Sequence, residues 1–472
     1  MTTEPLLAIV LGAGKGTRMK SDKPKVLHQI AGLSMLGHVL RLSQTSGASR
    51  TAVVIGPDTD AVAAEARRHV PDAGIFIQQQ QLGTADAVKA ARAAIAAHAG
   101  HVLVLFADTP LFRPETLAAV CQALDDGAAL AVVGFEAANP TGYGRLLKNR
   151  QGQLFAIREH KDASDEERRT TLCNAGVMGF RSGHLLDLLE RISNQNANRE
   201  FYLTDAVSIA FGSGLPGVSD GLPMQVIVCP ESEVLGVNSR DQLAAAEAIW
   251  QARRRRQVML DGATLIAPET VWLAHDTVIG RDVTIEPNVF FGCGVVVEDG
   301  ALIKANTHID GADAKSEAGV VIRKGAEVGP FARLRPGADI GPDVHIGNFV
   351  EVKNSRLEAG AKANHLAYIG DGRVGEKANI GAGTIFCNYD GFFKHITEIG
   401  KGAFVGSNTS LVAPVMIGDG AYVASGSVIT KNVAADALAI ERAPQLERPG
   451  WAAKFRTLMQ RRKAAAKSGG SA

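Results

Sequence analysis

Three groups of residues in this 472-residue sequence have types and spacings suited to chemistry. The first is Leu11-Gly12-Ala13-Gly14-Lys15-Gly16-Thr17-Arg18-Met19, with Pro24-Lys25 shortly after. Its glycines let backbone N–H groups approach phosphate oxygens, and Lys15, Arg18 and Lys25 could neutralise a triphosphate. A dinucleotide fingerprint would need glycine where Thr17 stands, and the Gly-Lys-Ser/Thr of a Walker loop is absent. The second is Asp108, just beyond the apolar run 102–106. An aspartate at the carboxyl end of a buried strand either caps the next helix or holds magnesium against nucleotide phosphates, and the second reading is favoured.

The third group lies far downstream: Arg333 and Arg335, Glu351 and Lys353, His365 with Tyr368, Asn379 with Ala382, and Asn388-Tyr389-Asp390-Gly391. A single histidine in a repeat is ordinarily a surface residue. In this company His365 becomes the candidate general base, because an imidazole titrates near neutrality and can accept the proton of an attacking amine.

Two kinds of element must position these groups. Up to about residue 240, apolar runs at 6–11, 51–55 and 102–106 alternate with alanine-rich helical stretches at 61–68 and 85–97. That alternation predicts a mostly parallel α/β sheet, with ligands at the carboxyl ends of its strands. Residues 241–260 predict one linker helix, whose run Arg253, Arg254, Arg255 and Arg256 reads as a solvated face.

After about residue 263 the period becomes six. Ile279, Ile285, Phe291, Val297, Ile303 and Ile309 form one phase, Ile322, Val328, Leu334, Ile340, Ile346 and Val352 a second, and Ile399, Val405, Leu411, Ile417, Val423 and Ile429 a third. One inward aliphatic every six residues is the signature of a parallel β-helix, although the period alone does not give its hand. Segments 310–321 and 386–398 interrupt the pattern and should project as loops. The boundaries that follow are 1–239 for the α/β domain, 240–262 for the linker helix and 263–448 for the β-helix. A basic tail, partly disordered, completes the chain at 449–472.

Composition narrows the class further. A net charge of +1 argues against a surface built for nucleic acid or an anionic membrane. The five cysteines are widely separated with no C-x-x-C pair, which suits a reducing, cytoplasmic setting. No stretch approaches the roughly 18 apolar residues of a membrane span.

The first-half motifs extend to Gln81-Leu82-Gly83-Thr84, Phe106-Ala107-Asp108, Gly142-Tyr143-Gly144, Glu159-His160-Lys161-Asp162, Asn174-Ala175-Gly176 and Gly236-Val237-Asn238. Together they resemble the sugar-1-phosphate uridylyltransferases. With the hexapeptides, residues 6–451 are similar to the bacterial family of bifunctional N-acetylglucosamine-1-phosphate uridylyltransferases/glucosamine-1-phosphate acetyltransferases. The resemblance implies a Rossmann-like nucleotidyltransferase domain, a linker helix and a left-handed parallel β-helix assembling as a homotrimer, with acetyl-transfer sites formed between subunits. It implies acetyl transfer from acetyl-CoA to glucosamine-1-phosphate, then uridylyl transfer from UTP with release of pyrophosphate, supplying peptidoglycan and lipopolysaccharide precursors.

By the same resemblance, Leu11, Gly12, Ala13, Gly14, Arg18, Lys25, Gln78, Gly83, Thr84, Phe106 and Ala107 serve UTP. Gly144, Glu159 and Asn174 contact the amino sugar, and Asp108 and Asn238 hold Mg2+. In the second half, Arg335, Lys353, Tyr368 and Asn379 bind the sugar phosphate, and Ala382, Asn388, Tyr389, Ser407, Ser425 and Arg442 surround acetyl-CoA, with Trp451 near the coenzyme. The family commonly has Tyr-Gly-Asp where Phe106-Ala107-Asp108 stands, and alanine at the positions of Gly12 and Ser425. Two other readings compete. A monofunctional nucleotidyltransferase with a structural β-helix leaves Arg335, Lys353, His365, Tyr368 and Asn388-Tyr389 unexplained, and a non-enzymatic sugar-nucleotide sensor does not need Lys25, Asp108 and Asn238.

Overall fold

The computed structural model describes residues 4–14, 16–212, 221–312, 316 and 318–468. Two compact units result. One comprises Met1–Asp261, Pro268–Thr277 and Phe291–Cys293, and the other Gly262–Ala267, Val278–Phe290 and Gly294–Ala472.

In the first unit, strand β1 (Leu6–Leu11) is apolar and buried at every position, as a strand covered on both faces must be. Six more strands form a row with it: β2 (Arg50–Ile55), β3 (Gly74–Ile77), β4 (His101–Phe106), β5 (Leu130–Glu136), β6 (Leu172–Arg181) and β7 (Met224–Val228), and the antiparallel pair Arg145–Lys148 and Leu154–Arg158 attaches to β6. Their order is β3-β2-β1-β4-β6-β5-β7. Only β6 runs antiparallel to its neighbours in this row, so the expectation of a mostly parallel sheet holds. Separate apolar clusters pack the two faces. The order reverses direction between β1 and β4, where Leu11 pairs with Phe106. The glycine loop and Asp108 therefore leave adjacent strand ends, where such sheets bind ligands.

The expected linker helix is present as Arg240–Leu260. Ala246 packs with Ile30, Met35, Leu111 and Val237, which makes the helix part of the first unit instead of a separate connector. The arginine run departs from the solvated face expected of it. Arg253 donates to the carbonyls of Leu111 (2.6 Å) and Ser232 (2.7 Å), Arg254 to Thr277 (2.7 Å), and Arg255 to Glu269 (3.1 Å) and Val271 (3.2 Å). Loop carbonyls without strand partners are satisfied by the guanidinium forks, and only Arg256 of the four is exposed.

The second unit is the left-handed parallel β-helix. Val278 pairs with Val296 and Thr284 with Leu302, each eighteen residues on, so three hexapeptides make one coil. Ile303, Ile309, Ile322, Leu334, Val352, Ile399, Leu411 and Val423 are all fully buried, stacked along the inside of the coils. At two places along the helix the pairings become twenty-five apart, as for Leu302 with Glu327 and Asn379 with Phe404. These extra residues fall in the two segments expected to project; part of the first, residues 313–315 and 317, lies outside the described residues. Beyond the coils, Trp451–Ser468 is a helix, exposed over residues 451–466, so the tail expected to be partly disordered is helical that far, and its last four residues lie outside the description.

One ion-paired group in the first unit sets an acid limit. Ser34 caps the helix Met35–Thr45 by accepting from the Gly37 N–H (2.9 Å), and its hydroxyl donates to Glu65 Oε1 (2.6 Å). His69 reaches the same oxygen at 3.2 Å, and chiefly this contact holds the Glu65 carboxyl down at about 2. A depressed folded value stabilises the fold above the ordinary glutamate range, an effect lost as pH falls toward 2. Glu65→Gln should therefore lower the urea midpoint at neutral pH and converge with the unmodified protein near pH 2; a constant difference across that range would contradict the assignment.

Candidate active sites

In the first unit the glycine loop, Lys25, Gln78, Gly83, Thr84, Phe106 and Asp108 line one cleft of about 230 Å³. The loop is tied in place at several points. Gly12 N–H donates to Val54 O (2.8 Å), Ala107 N–H to Leu11 O (3.0 Å), and the Gln81 amide to Ala13 O. Gly83 has φ +126°, and a Cβ there would lie 2.5 Å from Phe201 O, so only glycine lets this turn meet the opposite wall. Gln78 braces the turn, donating to Gly83 O (3.1 Å) and to Asp86 (2.8 Å).

The centre of the cleft is electrostatic. Lys25 Nζ lies 2.5 Å from Asp108 Oδ2 and 3.0 Å from Asn238 Oδ1. Asn238 is brought there by its neighbour, since the Val237 N–H donates to Asp108 O (2.9 Å). Two hard oxygen donors thus converge on a cation, the donor set that suits Mg2+. The Lys25 ammonium occupies that position.

The expected amino-sugar residues form an adjoining group. Asn174 N–H donates to Gly144 O (2.8 Å), and a Cβ on Gly144 would stand 3.4 Å from Glu159 Oε1. Glu159 accepts from Thr204 (3.2 Å), and burial pushes its carboxyl above the ordinary glutamate range. Thr84 joins the two groups by accepting from the Leu203 N–H (2.9 Å). Two expected UTP contacts lie elsewhere: Ala107 is fully buried in the core behind the cleft, and Arg18 is exposed on the turn Thr17–Met19, outside the cleft lining. Lys15 lies outside the described residues. Gln81 and Glu200 line the cleft without having been singled out; Gln81 stood within a quoted motif, whereas nothing in the local pattern marks Glu200.

In the second unit a cleft of about 550 Å³ is lined by Arg333, Arg335, Lys353, Asn354 and Asp371. Arg333 pairs with Asp310 (2.9 Å) and Arg335 with Glu351 (2.8 Å). Asp371 accepts from Asn354 (2.7 Å) on one side and from Asn388 (2.5 Å) on the other. Asn354, Asp371 and Asn388 recur every seventeen residues, the local coil length, so the stack is a consequence of register. Lys394 reaches Asp371 at 3.6 Å, and its charge beside Lys353 holds the Lys353 ammonium below the ordinary lysine range. Lys394 and Asp371 were missed by motif reading; the seventeen-residue spacing would have found Asp371. Tyr368 leans along this face, its hydroxyl 3.5 Å from the Asn388 amide.

A second line of residues follows one edge of the prism. Asn348 pairs in register with His365, and the same ladder carries His365 to Ala382, Ser407 and Ser425. Each precedes a corner residue of positive φ: Phe349, Leu366, Gly383, Asn408 and Gly426. Neighbouring coils are separated by about 4.8 Å, so these side chains form an even column. His365 Nδ1 is 2.6 Å from Asn348 Oδ1. An amide oxygen only accepts, so Nδ1 carries a proton, and in the neutral ring Nε2 is the nitrogen with the lone pair. Arg442 donates to Ser425 O (2.7 Å) at the end of the column. Asn379 is in register with Lys362 and Phe404 on another face and does not line the basic cleft. Tyr389 is exposed beside a loop tightened by Asp390, which accepts from the Phe392 and Phe393 N–H groups and pairs with His395. Trp451 stacks on Phe455 and is half exposed.

Fold and clefts define a nucleotidyltransferase joined to a hexapeptide transferase. The model of the MobA-like NTP transferase domain matches residues 8–200, and that of the bacterial transferase hexapeptide (six repeats) matches 319–354 and 396–431. Proteins named bifunctional protein GlmU are 57% identical in Azorhizobium caulinodans (97% of this chain, 98% of the relative), 55% in Bradyrhizobium sp. (97% and 98%) and 46% in Bartonella quintana (95% and 97%). The chain belongs to the GlmU family of bifunctional transferases. No helix among the described residues is long and apolar enough to cross a membrane.

Two outcomes follow from these clefts. Asp108→Ala should abolish nucleotidyl transfer and leave acyl transfer intact; equal loss of both in separate assays would assign Asp108 a folding role. Lys394→Ala should raise the KM for the sugar phosphate in acyl transfer by about tenfold, as loss of one charge-assisted contact implies, with nucleotidyl transfer unchanged.

Proposed function

We propose that the second unit transfers acetyl from acetyl-CoA to glucosamine-1-phosphate and the first unit then joins the product to UTP, releasing pyrophosphate and UDP-N-acetylglucosamine. The observation that carries the reading is the column His365, Ala382, Ser407 and Ser425 on the same β-helix as the cleft of Arg333, Arg335 and Lys353. A long, thin carrier suits an edge of evenly spaced residues, and a sugar phosphate suits a cluster of cations.

In the first reaction the sugar phosphate is neutralised by Arg335, Lys353 and Lys394. The glucosamine amine attacks the thioester carbonyl, His365 Nε2 takes the proton lost by nitrogen and returns it to the departing sulfur, the C–S bond breaks, and the coenzyme leaves as its thiol. Asn348 holds the imidazole in the tautomer this requires. In the second reaction a phosphate oxygen of N-acetylglucosamine-1-phosphate attacks the α-phosphorus of UTP in line with the departing pyrophosphate. Positioning and charge dominate such a step. Lys25 offsets phosphate charge, the glycine loop supplies N–H donors, and Glu159 accepts from the sugar. Magnesium, when held by Asp108 and Asn238, supplies further charge neutralisation.

The acetyl-transfer sites are completed between subunits of a homotrimer working in the cytoplasm on small-molecule substrates, without nucleic acid. Phe331, Phe349 and Leu366 support this assembly: they occupy successive corners at positive φ, and each is half exposed. Large apolar side chains in such a row, one of them adjacent to His365, are suited to contact with another chain.

Supplying glucosamine-1-phosphate, acetyl-CoA, UTP and Mg2+ should yield UDP-N-acetylglucosamine, and omission of acetyl-CoA should stop it. His365→Ala should reduce acetyl transfer by roughly 10²–10⁴-fold without affecting uridylyl transfer from preformed N-acetylglucosamine-1-phosphate. Product formed from that preformed substrate alone would favour a monofunctional enzyme, and full acetyl transfer by the variant would remove His365 from its role.

A further inference from the structure

Apart from both clefts, the first unit contains a group of side chains whose chemistry the two reactions do not use. His275, Asp276 and Cys293 each offer a donor atom, and the three atoms lie within 4.8 Å of one another. His275 Nδ1 is 3.9 Å from Cys293 Sγ and 3.9 Å from Asp276 Oδ1. The carbonyl oxygens of Ala31 and Gly32 border the same space, 3.3 Å from Nδ1 and 3.9 Å from Sγ respectively.

The surroundings are shaped to this arrangement. Gly32 has φ +78°, and a Cβ there would come within 2.6 Å of the sulfur, so the turn accommodates the thiol only because residue 32 is glycine. The His275 side chain is 9% exposed, with Nδ1 turned to the cluster and Nε2 buried on the opposite edge of the ring. In a tetrahedral zinc site, metal–sulfur bonds near 2.3 Å and metal–nitrogen bonds near 2.0 Å place donors roughly 3.3–3.8 Å apart. The two 3.9 Å separations require closure by a few tenths of an ångström, and the third, between Cys293 and Asp276 within 4.8 Å, is closed by rotation of the Asp276 carboxylate.

Charge and donor type select the ion. Thiolate, carboxylate and neutral imidazole together carry two negative charges, which one divalent cation cancels. The guanidinium of Arg41 is the fixed positive charge facing the cluster, with His38 and His69 also nearby. One sulfur and one nitrogen among the donors favour zinc over the oxygen-seeking magnesium suited to Asp108 and Asn238.

The geometry points to a zinc-class divalent cation site formed by His275, Asp276 and Cys293, with a fourth position for water or a carbonyl of the Ala31–Gly32 turn. Its effect is structural: the ion clips that turn to the segment bearing Cys293. The site is independent of the magnesium position and of acetyl transfer.

Cobalt(II) is the probe, because a tetrahedral thiolate site gives intense visible bands and a sulfur-to-cobalt charge-transfer band. The full-length protein, freed of metal by chelation and dialysis, should develop both with about one equivalent of Co2+, and Zn2+ should bleach them. Cys293→Ser should lose the charge-transfer band, whereas Cys387→Ser, altering the other partly exposed cysteine, should retain it. No such band in the unmodified protein would overturn the proposal, and so would a band that survives Cys293→Ser. The titration of unmodified protein decides the matter even where a variant fails to fold.

Discussion

The length of one β-helical coil governs the second unit. Because hydrogen-bonded partners recur every eighteen residues, or seventeen where a corner is tightened, equivalent positions stack directly along the prism. That register aligns the buried aliphatics and, by the same arithmetic, aligns Asn348 with His365 and Asn354 with Asp371. The repeat that closes the core therefore also fixes the distances between polar groups on the outside. A residue inserted within a coil would displace every later residue of both columns, which is why the two long excursions occur between strands, where the coil can resume its register.

The first unit solves its positioning problem differently. Strands β1 and β4 lie side by side and send their chains to opposite sides of the sheet, opening a crevice at their carboxyl ends. Phosphate chemistry needs positive charge there, but a buried ammonium needs a partner until substrate arrives. Asp108 and Asn238 supply that partner to Lys25, so its charge is not left unpaired.

Much of this was legible in the sequence because the signals were local or periodic. The six-residue phases gave the β-helix and its buried columns, and the glycine loop with Asp108 gave the nucleotide cleft. What escaped depends on contacts distant in sequence. The carbonyls that bind Arg253, Arg254 and Arg255 belong to loops whose location no helical pattern reveals. Ala107 stands between two cleft residues, yet its methyl faces the core because alternate positions leaving a strand point to opposite sides. A methyl added at Gly12 would make only ordinary contact with Ala107.

The corner positions connect these points. A left-handed backbone conformation is costly for most residues and easy for glycine, asparagine or aspartate. Along one edge, Gly383, Asn408 and Gly426 follow that preference, whereas Phe349 and Leu366 do not. The strain of a bulky residue at positive φ is tolerated beside Asn348 and His365, where the adjoining side chains have catalytic work in the proposed reaction. Asn354 and Asp371 occupy another set of corners, where the permissive residue type is also the one that supplies an amide and a carboxylate to the basic cleft. Corner chemistry in this β-helix therefore answers to the turn everywhere and, at Asn354 and Asp371, to the polar groups of the basic cleft as well.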